Sequence, residues 1–187
     1  MENFLIEARK LAYGEVERTG MPVKMHVDLA TKVGKNIAKK LGANVDIVET
    51  GTLLMDCYIG QALRENRRSD HVKMSLEKAS EIIDKSSLSE VDKENIRHCI
   101  LEHHGVGKFY SLESEICCNA DCYRFTSIKG FCFALRYTRD MPFEDLIKLL
   151  KEKVDEKWNA ISLDIVKKEL TSEHQILVDI LKGLSEE

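Results

Sequence analysis

The stretch MHVDLATKVGKNIAKKLG, residues 25–42, carries the pattern on which the fold prediction depends. Its apolar side chains recur every three or four residues, at Val27, Ala30, Val33, Ile37, Ala38 and Leu41. This spacing places them on one face of an α-helix. Gly42 follows directly, and glycine is typical of the residue just after a helix. The stretch therefore predicts an amphipathic helix that packs on a core through one face.

The same periodicity continues along the chain, which has only two prolines in 187 residues. Further helices are predicted to begin near Asn44, Ser69, Ser89 and Ser111 and after Pro142. We expect the helix that follows Ser89 to end at Gly105, and Ser172 with Gln175 to cap a last helix. The predicted fold is therefore all-α: a single domain, 1–187, with a helical core over roughly 20–140 and additional helices over 142–187 packed on it.

Composition and charge narrow the class of protein. The chain is 43% hydrophobic and 32% charged, which is typical of a globular domain. Its net charge of −4 gives no reason to expect a nucleic-acid partner. The first residues do not resemble a signal peptide, and no apolar run is long enough to span a bilayer. We therefore expect a cytoplasmic protein with no membrane partner and with its six cysteines as reduced thiols.

Two aspartates lie in apolar surroundings. Asp56 ends the run Gly-Thr-Leu-Leu-Met over residues 51–55, and Asp121 shares a helical face with Cys118 and Phe125. A buried ionised carboxylate is costly unless a cation or several donors meet it. A metal or catalytic role is one interpretation of both residues. The structural alternatives are a capping or salt-bridged Asp56, and an Asp121 that pairs with Arg124 or a neighbouring helix.

Four histidines accompany these aspartates, namely His26, His71, His103 and His104. Each alone is compatible with an ordinary structural role, such as a first-turn position or a cation near the carboxyl end of a helix. Together, imidazole and carboxylate are the ligands that borderline and hard divalent metals prefer. The cysteines at 117, 118 and 122 lack the paired spacing of a zinc ribbon, so we do not expect a thiolate site.

Taken in order, these residues resemble the pattern of the HD-domain superfamily of helical metal-dependent phosphohydrolases. The resemblance covers roughly residues 20–140. The family pattern has a first histidine, a His-Asp pair, often two or three more histidines, and a distal aspartate. The matching positions are His26, Asp56, His71, His103 with His104, and Asp121 within Asn119-Ala120-Asp121. Met55 stands where the family has the histidine of the pair.

The resemblance implies a divalent metal, whether Mn, Fe, Zn, Ni, Co or Mg, in a mononuclear or dinuclear site. It makes His26, Asp56 and Asp121 ligands of a first ion, and His71 with His103 or His104 ligands of a second. Asp56 would also be the catalytic bridge or base. Lys73 and Arg68 would be substrate-binding residues that contact phosphate.

By this resemblance the protein is expected to be a metal-dependent phosphohydrolase of a nucleotide or another small phosphoester. Two alternatives stay open because the thioether of Met55 is a soft ligand. One is a catalytically degraded regulatory protein that binds metal or nucleotide, and the other is an iron-dependent oxygenase of the HD type. The apolar stripe beyond Pro142 can serve a homo-oligomer as well as a core.

Overall fold

The computed structural model describes residues 1–184, and the regular structure in this range is helical throughout. The α-helices are α1 (Glu2–Thr19), α2 (Lys24–Leu41), α3 (Val45–Leu54), α4 (Ile59–Arg64), α5 (His71–Ile83), α6 (Glu90–Leu101), α7 (Leu112–Thr126), α8 (Ile128–Tyr137), α9 (Phe143–Ala160) and α10 (Asp164–Gly183). A short 3₁₀ turn, Arg68–Asp70, precedes α5. The predicted all-α class is confirmed. None of the described helices combines the length and apolar character needed to cross a membrane.

Side-chain caps begin several of the predicted helices. The Asn44 side chain accepts from two backbone amides at the start of α3, and Ser89 accepts from the amide of Asp92 at the start of α6. Ser111 and Ser114 form a capping box at the start of α7. Because these side chains satisfy amides that have no partner within the helix, the helices begin where the sequence predicts.

The end of α6 differs from the prediction, and the difference matters for the site. The helix ends at Leu101, and the next residues form a turn in which the amide of Gly105 donates to the carbonyl of Glu102 at 2.8 Å. His103 and His104 therefore lie in a turn and not on a helix. The two adjacent rings can therefore point towards the same site, whereas neighbouring residues of a helix would point in different directions.

The expected cap at Ser172 is wrong, because Ser172 lies inside α10. The helix begins earlier, after Leu163, where the side-chain oxygen of Asn119 accepts from the amides of Ser162 and Leu163 at 3.2 and 3.1 Å. A side chain of α7 thus fixes the corner between α9 and α10. Helix α1 is an element that the sequence analysis did not predict.

Helix α3 lies at the centre of the fold and packs against α1, α2, α6 and α7. Every residue of this helix from Ile47 to Leu54 is buried. A second apolar cluster joins Phe125 of α7 to residues of α8, α9 and α10. Helix α7 therefore belongs to both clusters, and all of its residues from Ile116 to Thr126 are buried.

Three helices approach one another closely at Gly51. A Cβ atom there would lie 2.5 Å from Cβ of Cys99 and 2.7 Å from Sγ of Cys117, on α6 and α7. Only glycine lets α3 pack this closely against both helices.

His26 fills part of the contact between α2 and α8. Its Nε2 lies 3.3 Å from the carbonyl oxygen of Gly130, to which it donates, and its ring packs edge-on against Tyr137 with centroids 5.3 Å apart. Burial, assisted by the charge of Arg124, lowers the pKa of His26 to about 4. The imidazole is therefore neutral in the folded protein.

We expect Gly51→Ala to lower the free energy of unfolding by about 1–3 kcal/mol, since the added methyl overpacks a close helix crossing. Gly14→Ala is the matched control, because Gly14 is exposed in α1 with no atom within 4 Å of an added Cβ. It should raise stability by about 0.5–1 kcal/mol through helix propensity alone. Urea unfolding measures both values. Equal effects of the two substitutions would contradict the packing argument.

We expect His26 to contribute to acid unfolding. Its pKa in the folded protein is about 4, below the ordinary 6.5. Its contribution to the free energy of unfolding is therefore complete above pH 6.5 and is lost as the pH falls towards 4. The loss by pH 4 is on the order of 3 kcal/mol. His26→Leu should therefore be less stable than wild type at pH 7 but lose less stability between pH 6.5 and 4. Urea unfolding across this range measures the difference, and parallel curves would contradict it.

Candidate metal centre

Four side chains converge at one point of the core. Asp56 comes from the turn after α3, His71 opens α5, and His103 with His104 comes from the turn after α6. One ligand atom from each lies within 4.8 Å of the others. Three separate segments thus bring together a set of donors that can hold a metal ion.

Backbone carbonyl groups orient two of these rings. Nδ1 of His71 donates to the carbonyl of Arg68 in the 3₁₀ turn, and Nδ1 of His103 donates to the carbonyl of Ile100, both at 2.7 Å. A carbonyl oxygen only accepts, so the proton of each neutral imidazole is on Nδ1 and its Nε2 carries a lone pair. Metal-bound histidines characteristically donate their other nitrogen in this way.

The two Nε2 atoms meet the same carboxylate oxygen. Oδ1 of Asp56 lies 3.4 Å from Nε2 of His71 and 3.4 Å from Nε2 of His103. Among the described residues, Oδ1 of Asp56 and Nε2 of His103 have no hydrogen-bond partner. Burial lowers the pKa of His71, which favours its neutral form. The facing lone pairs of Asp56 and His103 repel, and a divalent ion between them is a species that both can bind, with His71 beside them.

His104 is held differently. Its Nδ1 lies 2.7 Å from Nζ of Lys157, which can only donate, so the proton of His104 is on Nε2. That nitrogen lies 3.0 Å from Nε2 of His71 and donates to it. Burial, together with the charge of Lys157, lowers the pKa of His104 to about 3. His104 is thus a neutral donor beside the other three groups, and binds a metal only if it releases Lys157.

Asp121 is paired with two cations of the protein. Arg124, one turn along α7, reaches Oδ1 of Asp121 at 2.7 Å and bridges to Oδ2 of Asp56. Lys157 of α9 reaches Oδ2 of Asp121 at 2.7 Å. Burial opposes ionisation, but Lys157 and Arg124 outweigh it and hold the pKa of Asp121 below its usual range. The pairing of Asp121 with Arg124, the structural alternative above, is present.

The structure places the remaining candidates away from this point. His26 is not among the four converging residues, because its Nε2 is bonded to Gly130. The Lys73 side chain is three-quarters exposed, faces Glu77 at 3.9 Å and does not line the cavity over the site, so a phosphate contact by Lys73 stays a prediction. Arg68 does line that cavity. Met55 is buried, with 2% of its surface exposed.

Two residues of the site were missed by the sequence analysis. Lys157 follows Val154 by three residues and Leu150 by seven, which places a cation on the apolar face of α9. A lysine on an apolar helix face was the signal from which the sequence analysis could have identified Lys157. Lys153, one turn earlier, lines the same cavity.

A cavity of about 230 Å³ opens over the converging groups. Its polar wall is cationic, with Arg68, Arg124, Lys153 and Lys157 beside Asp56 and Asp121. Its apolar lining residues are Met21, Ile59, Leu63, Phe125, Tyr137, Met141 and Leu149. Such a cavity suits a small anionic ligand that also carries an apolar or aromatic part.

The sequence matches no protein-family model and no curated protein. Solved structures nevertheless share its fold. A predicted HD superfamily hydrolase from an uncultured Thermotogales bacterium is 13% identical, with a TM-score of 0.68 over 95% of this chain and 88% of the other. Bacillus subtilis YpgQ in complex with ADP is 16% identical, with a TM-score of 0.67 over 97% and 94%. The Lin1889 protein from Listeria innocua is 14% identical, with a TM-score of 0.69 over 99% and 95%. The fold of this chain is therefore HD-like.

Proposed function

We propose that the protein is a metal-dependent hydrolase of small phosphorylated substrates, with a divalent ion held by Asp56, His71 and His103. The observation that carries this proposal is that Oδ1 of Asp56 and Nε2 of His103, both without a partner in the described chain, face each other beside His71 below a cationic cavity. Backbone carbonyls hold both imidazoles in the tautomer that a ligand needs. A bound ion would supply Lewis acidity and lower the pKa of a coordinated water.

The residues of the chain then position the substrate. Arg68 and Lys153 lie on the cavity wall, where they can bind phosphoryl oxygens and neutralise their charge. His104 holds a proton at Nε2, and Lys157 keeps it there. The apolar wall excludes water from one side of the cavity and offers Phe125 and Tyr137 to an aromatic group. ADP in YpgQ, whose fold is similar, supports a nucleotide as the substrate.

A second candidate has its own supporting observation. Two histidines and one carboxylate with open positions form the donor set characteristic of non-haem ferrous oxygenases. Asp56, His71 and His103 are such a set once the Nε2–H of His104, whose Nδ1 faces Lys157, no longer donates to His71. An iron-dependent oxygenase is therefore the alternative activity. A regulatory protein that binds metal and nucleotide without turnover is the third.

We expect His103→Ala to weaken divalent-metal binding by about 100-fold or more, since even the outer partners of metal ligands are worth about 10- to 100-fold. Phosphoester hydrolysis should fall with it. Calorimetric titration with Mn²⁺, Co²⁺ and Fe²⁺ and a panel of nucleotides and simple phosphoesters measure the two effects.

The matched control is His98→Ala. His98 lies near the end of α6, five residues before His103, but it binds Glu102 at 2.8 Å and is not one of the converging residues. This variant should bind metal as the wild type does. Undiminished binding in His103→Ala would refute the site. Metal binding without any hydrolysis would favour the regulatory protein, and oxygen consumption with Fe²⁺ would favour the oxygenase.

A further inference from the structure

Arg124 occupies the position between two buried carboxylates. It is itself 8% exposed, and it joins Asp56, from the turn after α3, to Asp121 of its own helix. Two carboxylates this close and this buried repel each other unless a cation lies between them. The guanidinium supplies that cation, and its planar donors suit two carboxylates at once.

Lys157 completes the neutralisation from the other side. It is 2% exposed and its Nζ lies 2.7 Å from Oδ2 of Asp121. Arg124 already binds Oδ1, so both oxygens of Asp121 lie against cations of the protein, although the contact of Oδ2 with Lys157 is an ion pair without hydrogen-bond geometry. Two positive and two negative side chains balance within this cluster. A divalent ion added between them would face two cations without gaining a free carboxylate.

The other donors that the family resemblance assigns to this position do not fit an ion either. Nε2 of His26 is bonded to the carbonyl of Gly130, although its Nδ1 has no partner within residues 1–184. Met55 offers only a soft thioether. Asp56 keeps one oxygen, Oδ1, which faces His71 and His103. The donors for a single ion are present, but those for a neighbouring second ion are not.

We propose that Arg124 and Lys157 permanently supply the positive charge between Asp56 and Asp121, so that the protein holds one divalent ion and no second. This inference rests on the proposed metal centre for the identity of that single ion. It also gives Arg124 a role towards the substrate, because Arg124 lines the cavity and its Nε has no partner in the described chain. A phosphoryl group bound there meets a guanidinium where a second metal would otherwise neutralise it.

The test counts ions. Wild-type protein saturated with Mn²⁺ and measured by calorimetry and elemental analysis should hold one ion per chain. Arg124→Gln should hold two, because the substitution frees Oδ2 of Asp56 and Oδ1 of Asp121. Its melting temperature should be lower than that of wild type without metal and should rise more with Mn²⁺. Adding Met55→His to this variant should tighten the second site further.

Two controls separate charge replacement from ordinary ion pairing. Arg124→Lys keeps the positive charge and should stay at one ion per chain. Arg97→Gln removes another arginine that bridges two carboxylates, those of Asp84 and Glu94, but this arginine lies near the surface. It should gain no ion and show no extra stabilisation by Mn²⁺.

The outcomes divide cleanly. Two ions in the wild-type protein would overturn the inference and leave the proposed hydrolase standing, and this count holds even if the Arg124→Gln variant does not fold. One ion in Arg124→Gln, with no extra stabilisation by Mn²⁺, would make Arg124 merely structural and would also overturn it. No ion in wild type but one in Arg124→Gln would refute the proposed metal centre and support the replacement of a metal by Arg124. Folding of Arg124→Gln only in the presence of Mn²⁺ would support it as well.

Discussion

The Asp56 carboxylate is the point on which the organisation of the site depends. One oxygen is bound by Arg124 and the other faces the imidazoles of His71 and His103. An ionised carboxylate in the core is tolerated only when its charge is compensated. Burial opposes its ionisation, but the charge of Arg124 holds the pKa of Asp56 well below its usual range. The same group therefore ties α7 to the end of α3 and directs a negative charge into the cavity.

The charges around Asp56 stabilise one another. Burial disfavours the ammonium form of Lys157, yet the neighbouring Asp121 outweighs it and raises the pKa of that lysine. Asp121 in turn is kept ionised by Lys157 and Arg124. Loss of a single member would leave an uncompensated charge in the core, which costs far more than the net worth of the pairs. The same charged residues are therefore needed both for the proposed site and for the stability of the fold.

The helices were predictable because their signals are local. The period of α2 and the caps at Asn44, Ser89 and Ser111 depend only on neighbours in sequence. Asp56 was also recognisable, since a carboxylate directly after a buried apolar run requires a partner. The sequence could not decide whether that partner is a metal or an arginine. Lys157 reaches Asp121 from another helix, and no local pattern reports such a contact.

The order of residues along the chain was less informative for His26 and His104. His26 occupies the first position of the family pattern, but the carbonyl that engages it belongs to Gly130, on α8. His104 is adjacent to His103 in sequence, yet Lys157 gives it the opposite tautomer. Both outcomes are set by groups far along the chain. Spacing alone cannot determine which nitrogen of a histidine has a lone pair, or where it points.

The contact between the Asn119 side chain and the corner that joins α9 to α10 has a consequence for how the protein is made. Its side chain accepts from the amides at the start of α10. Asn119 and Asp121 are both buried residues of α7, two positions apart. Lys157 is synthesised after every other charged member of the site. A chain still emerging from the ribosome contains Asp56, Asp121 and Arg124 with one cation too few. In the folded chain, the docking of α9 on α7 is therefore the contact that completes the charge balance of the site.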